Sequence, residues 1–181
     1  PGDGSTLWAA TSAGRVFISK NADANLASAV AFERLDEAVT GVSVNSAAPL
    51  PNRFVSGIAV DPANPNRAWV TYSGYNAATP AAPGHVFQVV YDPAASTVTW
   101  TRIDWDLDDL PLNDVALDSV TGDLYVSNDF GVLRLASGGN AWVMAGAGMP
   151  LVEVASLTIV PGGRRLYAAT HGLGAWWLTL R

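Results

Sequence analysis

Asp114 and Glu153 each stand three residues after a proline, Pro111 and Pro150, at the start of an alternating apolar segment. Two carboxylates held near one another are the minimum set for glycoside hydrolysis, where one donates a proton and the other acts as base or nucleophile. The same spacing equally suits two solvated residues at the mouth of a channel. Arg53 lies in the corresponding stretch after Pro51 and offers a fork for a carboxylate, yet a single arginine does not make the cluster that would clamp an acidic sugar. Tyr72 and Tyr75 flank an insertion, Tyr72 to Pro83, and form a candidate stacking platform for a sugar ring or a peptide. Asn128, Asp129, Phe130 and His171 sit in two other turns of the same kind. His171, in Thr170-His171-Gly172, reads as a turn-holding hydrogen-bonding residue, and His85 as a structural one at the head of a buried strand.

One acidic run, Asp104-Trp105-Asp106-Leu107-Asp108-Asp109, places Asp104, Asp106 and Asp108 like the first ligands of a calcium loop. The sixth position is Asp109 instead of Gly and the twelfth is Val115 instead of Glu, which excludes an EF-hand. Alternation with Ile103, Trp105 and Leu107 reads as a strand with one wet face, whose like charges discourage edge pairing. No metal and no cofactor is expected.

These residues sit on a repeated framework. Leu7-Trp8-Ala9-Ala10-Thr11 leads to Gly14-Arg15-Val16-Phe17, Ala68-Trp69-Val70-Thr71-Tyr72 to Gly84-His85-Val86-Phe87, Leu124-Tyr125-Val126-Ser127-Asn128 to Gly131-Val132-Leu133-Arg134, and Leu166-Tyr167-Ala168-Ala169-Thr170 to Gly174-Ala175-Trp176-Trp177. Repeats of roughly 40 to 50 residues built from four short strands signal propeller blades. An alternating strand precedes each of the last three pairs, and a strand opening on an aromatic follows the first three, at Phe32, Trp100 and Trp142. Hairpins are expected at Asn64-Pro65-Asn66, Thr121-Gly122-Asp123 and Gly162-Gly163. The only helical period is a weak one over Asn25 to Ala38.

The fold class is therefore all-β: a partial β-propeller of about four blades, with the first and last incomplete. Blade 1 spans 1–48 and lacks its first strand; blade 2 spans 49–108, blade 3 spans 109–148, and blade 4 spans 149–181 without a last strand. The expected core holds Trp8, Phe17, Ile58, Val60, Trp69, Phe87, Trp100, Val115, Leu117, Tyr125, Trp142, Leu157, Ile159, Tyr167 and Trp176. Unfinished blades leave apolar faces and edges open, so the implied partners are the remaining blades of a parent propeller or a second copy of the chain.

Composition narrows the function classes. The chain has 181 residues, 49% hydrophobic and 14% charged, which is enough to build a core. Sixteen Asp plus Glu against ten Lys plus Arg give a charge of -6, which repels phosphate backbones and excludes nucleic acid as an expected partner. Cysteine is absent, so disulfides, thiolate chemistry and Cys-built zinc sites are excluded. No apolar run approaches the roughly 20 residues of a membrane span.

Leu-Pro before an alternating strand, Leu124-Tyr125-Val126-Ser127-Asn128-Asp129 and Tyr167-Ala168-Ala169-Thr170-His171-Gly172 together resemble the bacterial neuraminidase repeat propellers. These include sialidases, xyloglucan-hydrolysing glycoside hydrolases, sortilin-type receptors and photosystem assembly factors. Their Asp box is met only in part: Leu135-Ala136-Ser137-Gly138-Gly139-Asn140-Ala141-Trp142 keeps Gly139 and Trp142. Ser19-Lys20-Asn21-Ala22-Asp23 is a second partial match. The resemblance implies a secreted or periplasmic protein and leaves two readings. One is a non-catalytic module that recognises a protein or glycan through its loop face. The alternative is the C-terminal part of a glycoside hydrolase whose other blades lie elsewhere.

Overall fold

The computed structural model describes residues 3–38, 41–160 and 162–181. Pro161, expected to close an inner strand, lies outside the described residues. The fold is all-β, a partial β-propeller of four separate sheets with incomplete first and last blades. Blade 1 is β1 (Leu7–Ala10), β2 (Val16–Ser19) and β3 (Glu33–Arg34). Blade 2 is β5 (Val55–Asp61), β6 (Asn64–Tyr72), β7 (Val86–Asp92) and β8 (Thr97–Arg102). Blade 3 is β9 (Leu112–Leu117), β10 (Leu124–Asn128), β11 (Gly131–Leu135) and β12 (Trp142–Met144), and blade 4 is β13 (Val154–Val160), β14 (Arg165–Thr170) and β15 (Ala175–Thr179). Strands consecutive within a blade all pair antiparallel, as short hairpin connections require.

Four details differ from the sequence expectation. A strand not foreseen, β4 (Ser43–Ser46), belongs by sequence to the first copy but adds in parallel to the outer edge of β8, making blade 2 five-stranded. The Asn25 to Ala38 stretch holds no longer helix than a 3-10 turn at Ala27–Ala29 and then runs into β3; Asn21 captures the turn, its Nδ2 donating to the Ala29 carbonyl at 2.8 Å and its Oδ1 accepting from Ala31 N–H at 2.9 Å. The β5–β6 turn is Pro62-Ala63, two residues earlier than Asn64-Pro65-Asn66, fixed by Asp61 Oδ1 accepting the Ala63 N–H at 2.8 Å. The acidic run is no strand: β8 ends at Arg102, and Trp105 and Asp108 take φ of +33° and +54° in a turning segment.

The core lies between blades. Alternation on each strand sends one set of side chains to one seam and the other set to the next. On β6, Ala68, Val70 and Tyr72 join Trp8, Val16, Ile18 and Leu35 of blade 1, whereas Trp69 joins Val115, Leu124, Val126 and Trp142 of blade 3. A third seam packs Ala116, Tyr125 and Val132 against Val154, Leu157, Leu166 and Ala168. Indoles stitch the seams: Trp8 Nε1 donates to the Pro65 carbonyl at 2.8 Å, Trp100 Nε1 to Leu35 at 2.7 Å and Trp142 Nε1 to Ile103 at 2.9 Å.

Ion pairs at the far ends of the inner strands add a second stitch. Arg164 of blade 4 grips Asp118 of blade 3 through both Nη atoms, at 2.5 and 2.9 Å. Most of the expected core is buried, while Phe17, Ile58, Val60, Leu117, Ile159 and Tyr167 are half-buried. Trp176 is 37% exposed, because β15 lacks the outer strand that covers the equivalent Phe87 and Leu133.

Candidate functional site

The loops between second and third strands, and the entries to the inner strands, gather at one end of the blades. The inserted loop of blade 2 is built around Arg53. Its buried guanidinium donates from Nη1 to Asn76 Oδ1 at 3.1 Å and Thr79 Oγ1 at 3.0 Å, and from Nη2 to the Gly84 carbonyl. Asn76 N–H donates to Asp109 Oδ1 at 2.7 Å, and the same oxygen meets His85 Nε2 at 3.0 Å. Burial pulls the Arg53 pKa below its usual value, with Asp109 opposing, while the Asn76 N–H and then His85 hold Asp109 below the usual carboxylate range. Arg53 is thus spent on pinning the insertion. The structure also divides the expected tyrosine platform: Tyr75 is exposed, but Tyr72 follows the inward alternation of β6 and is fully buried, so it cannot stack a ligand. Burial pushes the Tyr72 hydroxyl well above the usual phenol range, and its oxygen has no hydrogen-bond partner among the described residues.

The proline spacing misplaces the carboxylate pair. Each inner strand carries a bulge that leaves Ser56, Asn113 and Ala155 unpaired, and the registers make Gly57, Asp114 and Ser156 equivalent. Asp114 therefore matches Ser156, and Glu153 matches Pro111. The Asp114 carboxylate is a joint between blades: Oδ2 accepts the Leu157 N–H at 2.8 Å and the Ser156 hydroxyl at 3.1 Å, and Oδ1 accepts the Val115 N–H at 2.8 Å. A Cβ on Gly57 would lie 2.8 Å from Asp114 Oδ1, so the glycine makes room for this joint.

Glu153 is exposed and pairs with His171 through Oε2 to Nδ1 at 3.0 Å, while its carbonyl accepts the His171 N–H at 2.9 Å. His171 thus ties its loop to the entry of β13, while the turn itself is closed by Thr170, whose N–H and hydroxyl donate to the Gly174 carbonyl at 2.9 and 2.6 Å. Asn128 is buried and its Oδ1 accepts the Phe130 N–H at 2.8 Å, which turns Asp129 and Phe130 outward. Asn113, at the bulge, donates to the Val154 carbonyl at 3.2 Å and to Asp129 Oδ1 at 3.4 Å, linking the blade 3 and blade 4 loops. Its signal in the sequence was only its place in the strand entry beside Asp114. The result is an end of the blades that carries exposed Phe54, Tyr75 and Phe130 together with Asp129, Glu153 and His171.

The acidic run serves the backbone. Asp104 is buried, accepting the His85 N–H at 3.1 Å and Arg102 Nε at 2.5 Å, and Asp106 Oδ1 accepts the Trp142 N–H at 2.9 Å. Asp104 and Asp106 thus aim at separate partners, and Asp108 is exposed at the turn, so the calcium alternative finds no converging oxygens. Among the described residues no group of three His, Cys, Asp or Glu side chains is placed to hold a metal ion.

Comparison with known proteins places the fold. PorZ, a bacterial surface component of the type-IX secretion system of Porphyromonas gingivalis, superposes over 94% of the chain with a TM-score of 0.61 at 15% identity. A gluconolactonase from Xanthomonas campestris covers 96% with a TM-score of 0.55 at 16% identity, and an ancestral GH74 enzyme covers 94% with a TM-score of 0.51 at 19% identity. The chain spans 23%, 56% and 21% of those three proteins. At such identities the likeness is one of fold. No family model and no curated protein matches the sequence.

Proposed function

We propose that the chain is a non-catalytic propeller module that recognises a protein or glycan through its loop face, in a secreted or periplasmic protein. One observation carries this reading. Phe54, Tyr75 and Phe130 stand 53%, 56% and 52% exposed on that face, while Arg53, Asn76, Asp109 and Asp114 are engaged in bonds that hold the scaffold. Aromatic faces ringed by a few polar groups suit a sugar ring or an extended peptide, and the pinned insertion costs little ordering on binding. The likeness to a bacterial surface component supports the compartment.

A panel of plant and bacterial oligosaccharides and peptides, titrated into the chain and followed by amide shifts, tests the reading. Shifts should gather at Tyr75, Phe130 and His171, and Tyr75→Ala with Phe130→Ala should weaken binding about tenfold or more with little change in melting temperature. Shifts elsewhere would refute the loop face. The hydrolase reading requires a carboxylate other than Asp114 to act with Glu153, because Asp114 holds β13. Polysaccharide hydrolysis by the parent protein that is lost in Glu153→Gln would favour that alternative.

A further inference from the structure

The seam between blades repeats one socket three times, and the third is open. Leu35, Ile103 and Ala145 are equivalent, since their N–H groups donate to the carbonyls of Val16, Val86 and Val132 at 2.8, 3.0 and 2.9 Å. Trp100 donates its indole to the first carbonyl of the series and Trp142 to the second, whereas no indole of the described residues reaches Ala145. Each filled socket belongs to an outer strand: Trp100 of β8 sits opposite Val89, and Trp142 of β12 opposite Leu135. The matching position on β15 is Leu178, paired to Leu166. Around Trp100 lie Val16, Leu35, Ala68, Val70, Phe87 and Val89. Their counterparts Val132, Ala145, Leu166, Ala168, Trp176 and Leu178 line a single apolar cleft, continuous with the blade 3–blade 4 seam.

We propose that β15 is a receiving edge for an extended polypeptide segment from outside these residues, which adds antiparallel to it and places a tryptophan opposite Leu178. The indole enters the cleft and its N–H donates to the Ala145 carbonyl. Main-chain hydrogen bonds along Ala175–Thr179 supply the remaining contacts, as in other strand additions. A second copy of the chain has no such strand to give. Its Trp8, Trp69, Trp100 and Trp142 are buried in their own seams, Trp105 occupies a turn, and Trp176 and Trp177 belong to β15 itself. This inference does not rest on the loop-face reading, and its test uses a different edge of the molecule.

A synthetic peptide copying residues 96–104, Ser-Thr-Val-Thr-Trp-Thr-Arg-Ile-Asp, is the probe, titrated into the 181-residue chain with amide exchange followed by NMR. Binding should slow exchange across Ala175–Thr179, and the peptide with Trp replaced by Ala should bind about tenfold or more weakly. Gly146→Val brings a side chain to the cleft rim, where a Cβ lies 3.2 Å from Leu178 Cδ1, and should weaken the peptide with an unchanged melting temperature. If that variant fails to fold, the Trp-to-Ala comparison on the unaltered chain decides alone. Equal binding of the two peptides, no binding at about 1 mM, or protection away from β15 would overturn the proposal. So would a dimer of the chain that Leu178→Arg disperses, since a second copy would then hold the edge.

Discussion

Replacing Asp118 by Asn should remove a pH-dependent share of stability that belongs to the blade 3–blade 4 seam. The Asp118 carboxyl is buried and held down to about 2 from its ordinary 3.8, first by Arg164 and then by the Val120 N–H and the Thr121 hydroxyl. A folded-state value below the unfolded one favours the native state when the carboxylate is charged. The contribution is complete above the unfolded value and drains away as pH falls toward the folded one. The gap from 3.8 to about 2 corresponds to about 2 kcal/mol at neutral pH, of which about 1 kcal/mol has gone by pH ~3. Urea unfolding of the chain and of Asp118→Asn at pH ~7, ~4 and ~3 checks this, because other carboxylates titrate in both proteins and cancel in the difference. The stability difference should narrow by about 1 kcal/mol between the highest and lowest pH. A difference that stays constant, or widens, would refute the assignment of the clasp.

Four further substitutions probe the seams. Trp142→Ala should cost about 3 to 5 kcal/mol in chemical unfolding, and Trp142→Phe about 1 kcal/mol for the lost bond to the Ile103 carbonyl. Gly57→Ala should cost about 1 to 3 kcal/mol, because the new methyl meets Thr71 Oγ1 and the Val115 nitrogen at 2.9 Å as well as Asp114; a neutral result would show that the joint can relax. Tyr72→Phe should raise stability by about 1 kcal/mol, since it deletes a buried hydroxyl without a partner, and a lower denaturation midpoint would reveal a bond there.

The strand pairs and their seams were legible in the chain because apolar alternation, Gly-led turns and repeated aromatics each carry a local cause. Trp8, Trp69, Tyr125 and Tyr167 do occupy one equivalent place in four sheets. The site was less legible, since register decides it and the length of the turn before each inner strand shifts register silently. Counting from Pro111 and Pro150 equates Asp114 with Glu153, but the blade 3 entry is three residues shorter, which sets Asp114 against Ser156; the bulge is common to both strands and cancels. Tyr72 was legible in principle: continuing the inward sequence of Ala68 and Val70 by two more residues sends it to the core. Trp176 carried an internal conflict, placed in the core of a blade already expected to lack its covering strand. The attachment of β4 to β8 had no local signal at all, because parallel pairing over some fifty residues depends on where the intervening blade folds.

Seams that lie between sheets make a single blade an incomplete folding unit. One blade alone carries two half-cores on opposite sides and closes neither, so the smallest self-sufficient piece is a pair of neighbours sharing one seam. Stability should then accrue by contacts between neighbours and not by blades, as in linear repeat arrays. An indole anchored across each of the first two seams, as Trp8 is to Pro65 and Trp142 is to Ile103, makes the loss of one sheet felt in the next. Damage to blade 2 severs two seams at once, whereas damage to blade 4 severs one. Among the described residues, unravelling is accordingly cheaper from blade 1 or blade 4, which share one seam each, than from the two blades between them.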